Sequence, residues 1–245
     1  MICHDRKCIF IHTRKSAGTS IKSLLGGDKN ALLNDGILDK DWKHQSKNLE
    51  EYFVFTVVRN PWDKFLSAKN YCWCSSDMSI EDVLRFPPRP DIRNNLKELD
   101  IPSSIKRNYE RTISRMNLLQ KGEKGYRSYG HDYRHLMVEQ MSRISYDNSS
   151  FEVDAVLYLE DLHGGLSQIA NFINLGHDYK LDKQNVNRVQ SDYRDKFKDI
   201  DHSLFQAHFY RDIHYLGYTF EDGISGLPQN HCDVLTAKGR RFKST

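Results

Sequence analysis

The stretch that most constrains this chain runs from Lys7 to Leu25, KCIFIHTRKSAGTSIKSLL. Ile9, Phe10 and Ile11 form an unbroken apolar run between polar residues, the pattern of a short strand buried on both faces of a parallel sheet. Arg14 to Ser20 (RKSAGTS) supplies small residues that let the backbone turn tightly. Ile21, Leu24 and Leu25 then return at helical spacing, and Gly26-Gly27 closes the helix. A strand that runs through such a loop into a helix start gathers unpaired backbone N–H groups at the positive end of the helix dipole. That arrangement is an anion site. Lys15 adds a movable cation, and Thr19 and Ser20 add hydroxyl donors. The nucleotide-triphosphatase pattern G-x-x-x-x-G-K-[ST] does not fit, because here the Lys precedes the glycine and no upstream Gly exists.

The same order recurs downstream. Tyr52 to Val58 (YFVFTVV) is rich in aromatic and β-branched residues and reads as a second strand. Asn60 is suited to cap a helix and Pro61 to occupy its first turn, after which Trp62, Phe65 and Leu66 repeat at helical intervals. A third strand is expected at Val153 to Leu159 and a helix at Leu166 to Ile173. Alternating strands and helices imply an α/β, P-loop-like three-layer fold, with a central, mainly parallel sheet flanked by helices. Residues 85–130 interrupt the pattern with Pro87, Pro88 and Pro90, then offer a helix carrying Ile105, Tyr109, Ile113 and Met116 on one face. They read as a helical insertion packed on the sheet rather than a separate domain. Phe205, Phe209, Ile213 and Leu216 mark a further amphipathic helix stopped by Gly217. One domain over residues 1–220 is expected, with 221–245 a polar, loosely held tail.

Composition excludes several classes. The chain has 245 residues, 38% hydrophobic and 28% charged, as a globular protein does. No apolar run approaches the ~20 residues that cross a bilayer, and the opening MICHDRKCIFIH lacks the parts of a signal peptide. A net charge of +3 is too small to mark a nucleic-acid binder. Five cysteines without regular spacing do not form a disulfide framework, so a reducing, cytoplasmic compartment is expected. Cys72 and Cys74 have no second ligand pair beside them and read as helix thiols rather than a zinc site.

Arg59 stands where the second strand ends, the edge at which open α/β sheets bind ligands, and Arg is suited to bidentate contact with phosphate oxygens. Ser67 follows eight residues on, a little over two helical turns, and so projects from roughly the same side. Two anion sites on one sheet edge fit a ligand with two separated anionic groups. No acidic metal ligand ends the second strand.

These segments resemble a known family. IHTRKSAGTS is similar to the I-H-x-P-K-[TS]-[GA]-G-T-S loop of sulfotransferases, and VVRNPWDKFLSAKNY to their V-R-N-P-[WY]-[DE]-R-[FL]-[VL]-S-A-Y segment. Asn185-Val186-Asn187-Arg188, Asp192-Tyr193-Arg194 and Arg211-Asp212 with Gly217-Tyr218-Thr219-Phe220 resemble the family's closing motifs in order. The likeness is strongest to the carbohydrate sulfotransferases of the heparan, chondroitin and dermatan type, and spans about residues 7–220. It implies 3′-phosphoadenosine 5′-phosphosulfate (PAPS) as donor, with no metal required. It places Lys15, Ser16, Ala17, Gly18, Thr19 and Ser20 on the 5′-phosphosulfate, Arg59 and Ser67 on the 3′-phosphate, and Arg188 in the segment closing over the nucleotide. Arg14 replaces the family's Pro, Lys64 its Arg, and Val189 its Ser or Thr; the last removes a hydroxyl that relatives offer the cofactor.

Sulfuryl transfer, like phosphoryl transfer, rests on in-line positioning and charge stabilisation. Lys15 is expected to stabilise the leaving phosphate. His44 is the candidate base, because relatives carry a catalytic His in a comparable segment; the alternative is an exposed loop histidine. His12 also matches a family position but reads as packing or orienting the loop. Residues 85–134 hold twelve Lys and Arg against six Asp and Glu, with Arg107, Arg111 and Arg115 at four-residue intervals. That is either a groove for an anionic acceptor, with Tyr126 and Tyr129 to stack on sugar rings, or a solvated helix face. The expected acceptor is a hydroxyl, carbohydrate in kind, with no nucleic-acid or membrane partner. A bacterial or viral origin is expected, since eukaryotic carbohydrate members are membrane-anchored. A P-loop kinase or nucleotide-binding protein, or a non-catalytic anionic-glycan-binding module, stays open as an alternative.

Overall fold

A computed structural model of the chain describes residues 1–26, 51–89, 95–117, 129–145, 152–176, 178–181 and 192–221. Its centre is a mixed four-stranded sheet in the order β1-β2-β3-β4. The apolar run after Lys7 forms β2 (Cys8–Ile11), which pairs in parallel with β3 (Phe53–Val58), and β3 pairs in parallel with β4 (Ala155–Tyr158). A two-residue strand, β1 (Ile2–Cys3), adds an antiparallel edge to β2. It is too short to announce itself by alternation, and only the pairing of Ile2 with Ile9 and Cys3 with Cys8 makes it a strand.

The register sorts side chains between the faces. Cys3, Cys8, Phe10, Phe55, Val57, Ala155 and Leu157 share one face and bury against helices α1 (Gly18–Leu25) and α6 (Leu162–Ile169). Ile9, Ile11, Thr56, Val58 and Val156 point the other way and are buried as well, so the parallel strands are covered on both faces and, Thr56 apart, read as continuous apolar runs. Two side-chain bonds add to the ladder, one within it and one just past the end of β2. The Thr56 hydroxyl donates to the Ile11 carbonyl at 2.8 Å, and the Thr13 hydroxyl donates to the Val57 carbonyl.

Helix α6 begins four residues before the predicted Leu166. Asp161 caps it, its carboxylate accepting from the Gly164 N–H at 3.1 Å, and Gly165 lies where a Cβ would come 3.2 Å from Leu157. Glycines weaken a helix on propensity, but here Gly165 allows close packing on the sheet and Gly164 leaves room for the Asp161 cap.

Two compact units emerge. The first comprises residues 1–61, 139–192 and 211–245, and the second 62–138 and 193–210. In the second, α2 (Pro61–Tyr71) carries Trp62 and Phe65 into an aromatic cluster with Tyr193, Phe197, Phe205 and Phe209. Tyr193 and Phe197 belong to α7 (Tyr193–Phe197), and the other two to α8 (His202–Leu216), which breaks at Phe209. Residues 85–130 fall within this unit. It also holds α3 (Ile80–Arg85), α4 (Ser103–Asn117) and α5 (Tyr129–Leu136). Helix α4 buries Ile105, Asn108, Tyr109 and Thr112, and the Tyr109 hydroxyl donates to the Phe86 carbonyl. The tail expected beyond residue 221 lies outside the described residues.

Candidate functional site

The loop between β2 and α1 is built on two non-glycine residues in left-handed conformation, Lys15 at φ 65° and Ala17 at φ 56°. Each costs roughly 1–2 kcal/mol relative to ordinary backbone. Left-handed residues interspersed in a tight loop turn N–H groups inward into an anion-binding concavity. Gly18 opens α1 because nothing larger fits. A Cβ there would lie 2.0 Å from Nε2 of His12, whose ring packs across the glycine. His12 also lies against Phe10, with ring centroids 6.0 Å apart. It is therefore a wall of the loop.

The second strand end is held by partners from far along the chain. The Gln140 side chain is the junction: its Oε1 accepts from the Ser16 hydroxyl at 3.1 Å and from the Arg59 backbone N–H at 2.9 Å. Its Nε2 donates to the Arg59 carbonyl at 2.8 Å and to Asp212 at 3.4 Å. Gln140 is 1% exposed and Asp212 0%, so this polar junction is closed off from water. Asp212 also accepts from the backbone N–H groups of Gln140 (2.9 Å) and Met141 (2.8 Å). One residue on, the Asn60 N–H donates to Glu160 at 2.7 Å, and the Tyr218 hydroxyl donates to the other oxygen of Glu160 at 3.0 Å. The Arg59 guanidinium reaches back to the first loop, donating to the Lys15 carbonyl at 3.1 Å. A guanidinium carries five N–H donors in a fork, and here one of them ties the two strand ends together.

The charges that act on His12 in the loop are of one sign. Burial, then the charges of Lys22 and Arg14, with Arg143 a smaller contributor, push the His12 imidazole down to about 3. His12 is thus neutral at working pH. Lys22 is itself lowered, by burial first and by Arg14 second. Acidic groups sit one layer away, behind the second strand end. Burial raises Glu160, opposed by the bonds from Asn60 and Tyr218 and by the charge of Arg59. Burial and the Asp212 charge raise Glu139, which accepts from the Arg211 N–H at 2.9 Å.

Of the residues singled out by the sequence, Lys15, Ser16, Ala17, Gly18, Thr19, Ser20 and Arg59 lie together at the ends of β2 and β3. Ser16 is fully buried with its hydroxyl donated to Gln140. Thr19 is exposed and Ser20 buried. Ser67 is half-buried on α2, in the second unit. His44, Arg188 and Tyr126 lie outside the described residues, as does the segment containing Val189. Lys64, in the family's Arg position, is buried and donates to the Val138 carbonyl at 2.9 Å.

Cys72 and Cys74 are not helical. They follow the end of α2 in a turn, both buried, with Asp132 accepting from the N–H groups of Trp73 (3.0 Å) and Cys74 (3.3 Å). Burial and Asp132 push the Cys74 thiol well up, so it is no nucleophile. Among the described residues no group of three His, Cys, Asp or Glu side chains could hold a metal ion. Gln140 and Glu160 carry no sequence signal of their own. Asp212 and Tyr218 do, as part of the closing motif, and serve as buried braces.

A family model described as "Sulfotransferase family" matches residues 1–218. No curated protein and no solved structure matches the chain. A mainly parallel sheet flanked by helices, a cationic loop after its first parallel strand and a match over nearly the whole length agree: the chain belongs to the sulfotransferase family.

Proposed function

We propose that this protein transfers the sulfuryl group of PAPS to a hydroxyl of a carbohydrate acceptor. The observation that carries the reading is the β2–α1 loop, where two left-handed residues meet a helix start and the charges of Lys22, Arg14 and Arg143 gather around His12. The backbone N–H groups of Lys15 to Ser20 hold the 5′-phosphosulfate. Arg59, with Ser67 as the family motif implies, holds the 3′-phosphate.

Transfer is in line. The acceptor oxygen attacks sulfur, the S–O bond to the 5′-phosphate breaks, and the Lys15 ammonium offsets the charge that develops on that leaving oxygen. The acceptor proton goes to a base, for which His44 is the candidate. His12 is not that base, because an imidazole pushed down to about 3 holds a proton poorly at neutral pH. Arg107 and Arg111 are exposed on α4 and offer an anionic acceptor two cations, with Glu110 beside them.

The deciding experiment is a thermal-shift titration of the full chain with adenosine 3′,5′-bisphosphate, against ATP with Mg²⁺. A larger shift with the bisphosphate is expected. A larger shift with ATP and Mg²⁺ overturns the reading in favour of a nucleoside-triphosphate enzyme.

A further inference from the structure

The two strand ends assigned to the donor are separate in sequence, and besides the Arg59–Lys15 and Thr13–Val57 bonds one buried side chain spans them. Gln140 meets Ser16 in the first loop and both backbone polar groups of Arg59 at the second strand end. It is itself buried, and it is seated on Asp212, which holds its own N–H and that of Met141. An amide can do this and few other groups can. Its oxygen accepts two bonds while its nitrogen donates two, in fixed directions. A carboxylate in its place would have nothing to donate to the Arg59 carbonyl and would face Asp212 charge to charge.

We infer that Gln140 is a positioning residue that sets the spacing between the 5′- and 3′-anion sites, so that a ligand carrying both groups binds better than its halves predict. The inference rests on the donor reading above. Its physical content is preorganisation: a ligand whose two ends are held by independently moving loops must order one relative to the other on binding. A ligand entering a braced pair of loops does not. Ser16 and Arg59 need not lose their own contacts for the effect to appear. Only their mutual register has to loosen.

The test uses three ligands on the full chain: adenosine 3′,5′-bisphosphate, adenosine 5′-monophosphate and adenosine 3′-monophosphate. Affinities are measured by calorimetry for the wild type and for Gln140→Met, which keeps the length and removes the bonds. The bisphosphate is expected to lose about tenfold or more, the size of one or two missing hydrogen bonds. Each monophosphate is expected to change by less than about threefold, because a one-ended ligand does not read the spacing. An equal loss for all three ligands makes Gln140 a general structural residue and overturns the inference, as does no loss for any.

Should Gln140→Met not fold, Asp212→Asn loosens the seat of Gln140 while leaving the Gln140 bonds to Ser16 and Arg59 available, and must reproduce the selective loss in smaller measure. A uniform loss there likewise overturns the inference. The donor reading fails separately and visibly: a wild-type protein that binds the bisphosphate no better than either monophosphate has no paired anion sites at all.

Discussion

The turns after β2 and after β3 occupy equivalent places, each following a parallel strand and opening a helix, yet they are built in opposite ways. The first is shaped from within, by left-handed backbone at Lys15 and Ala17 and by His12 lying across Gly18, all inside seven residues. The second carries no such strain. Arg59 and Asn60 are held by Gln140 and Glu160, some 80 and 100 residues downstream, which are themselves seated on Asp212 and Tyr218. A loop that must cradle an oxyanion with its own N–H groups cannot also give those groups to braces, so strain shapes it instead. A turn that presents a side chain can have its backbone fully bonded. The contrast predicts that changes in the first turn act on chemistry and local packing, and that changes to the braces of the second act on stability or on the register of Arg59.

The largest effect is expected for Lys15→Ala. On the proposed role, removing this cation should lower turnover by about 10²–10³-fold, the size seen when one preorganised donor to a transition state is lost. Stability should hardly change, since Ala17 shows that alanine is accepted in left-handed backbone in this loop. Sulfate transfer from labelled donor, read alongside a melting curve, checks both halves. Turnover within a few-fold of wild type would remove Lys15 from the transition state.

Glu160→Ala should do the reverse. It strands the Asn60 N–H and the Tyr218 hydroxyl, both buried, and should cost about 2–3 kcal/mol of stability, because an unsatisfied buried donor forfeits its desolvation free energy. Tyr218→Phe removes one partner only and should cost about 1 kcal/mol. Urea titrations of the pair give the ratio. Equal costs for the two would mean that Asn60 finds another acceptor.

Gly18→Ala comes next, and it tests whether the first turn is a packed object. Its Cβ would fall 2.0 Å from Nε2 and 2.2 Å from Cδ2 of His12, so the ring must move, at about 1–3 kcal/mol for overpacking. The double variant with His12→Ala should recover part of that loss, which a double-mutant cycle measures directly. Additive losses would place the conflict elsewhere than between these two residues.

The same contrast explains what is legible in the sequence. Strain and glycine are local, so the residues RKSAGTS point to an anion loop by themselves, and the apolar strand before them can be read to within two residues of its ends. Helix α6 reads four residues late because two glycines mask its first turn, a cost that packing of Gly165 on Leu157 outweighs. Gln140 leaves no trace: a single glutamine between Glu139 and Met141 has no periodicity, and its partners Ser16 and Arg59 are 124 and 81 residues away. Asp212 and Tyr218 stand out as a motif, but a motif does not say whether it touches ligand or backbone. Only the hydrogen bonds place them under the second turn.

The smallest effect is a pH dependence, and its sign follows from His12. The imidazole is pushed from an ordinary 6.5 down to about 3, so between those values the unfolded chain takes up a proton that the folded chain refuses. Stability contributed by the neutral ring is complete above pH 6.5 and is lost as pH falls toward 3, at up to about 1.4 kcal/mol per pH unit. Glu139 and Glu160 oppose this trend. Their raised carboxyls bind protons more readily folded than unfolded, so they add stability as pH falls through their range. The wild-type profile alone therefore mixes two signs. The difference between wild type and His12→Gln isolates one, since both glutamates are common to the two chains. That difference should be flat from about pH 8 to 6.5. By about pH 5.5 it should have shifted by about 1 kcal/mol against the wild type. A difference that stays flat to about pH 5 would mean that His12 is solvated, and that Gly18 owes its place to something other than the ring beside it.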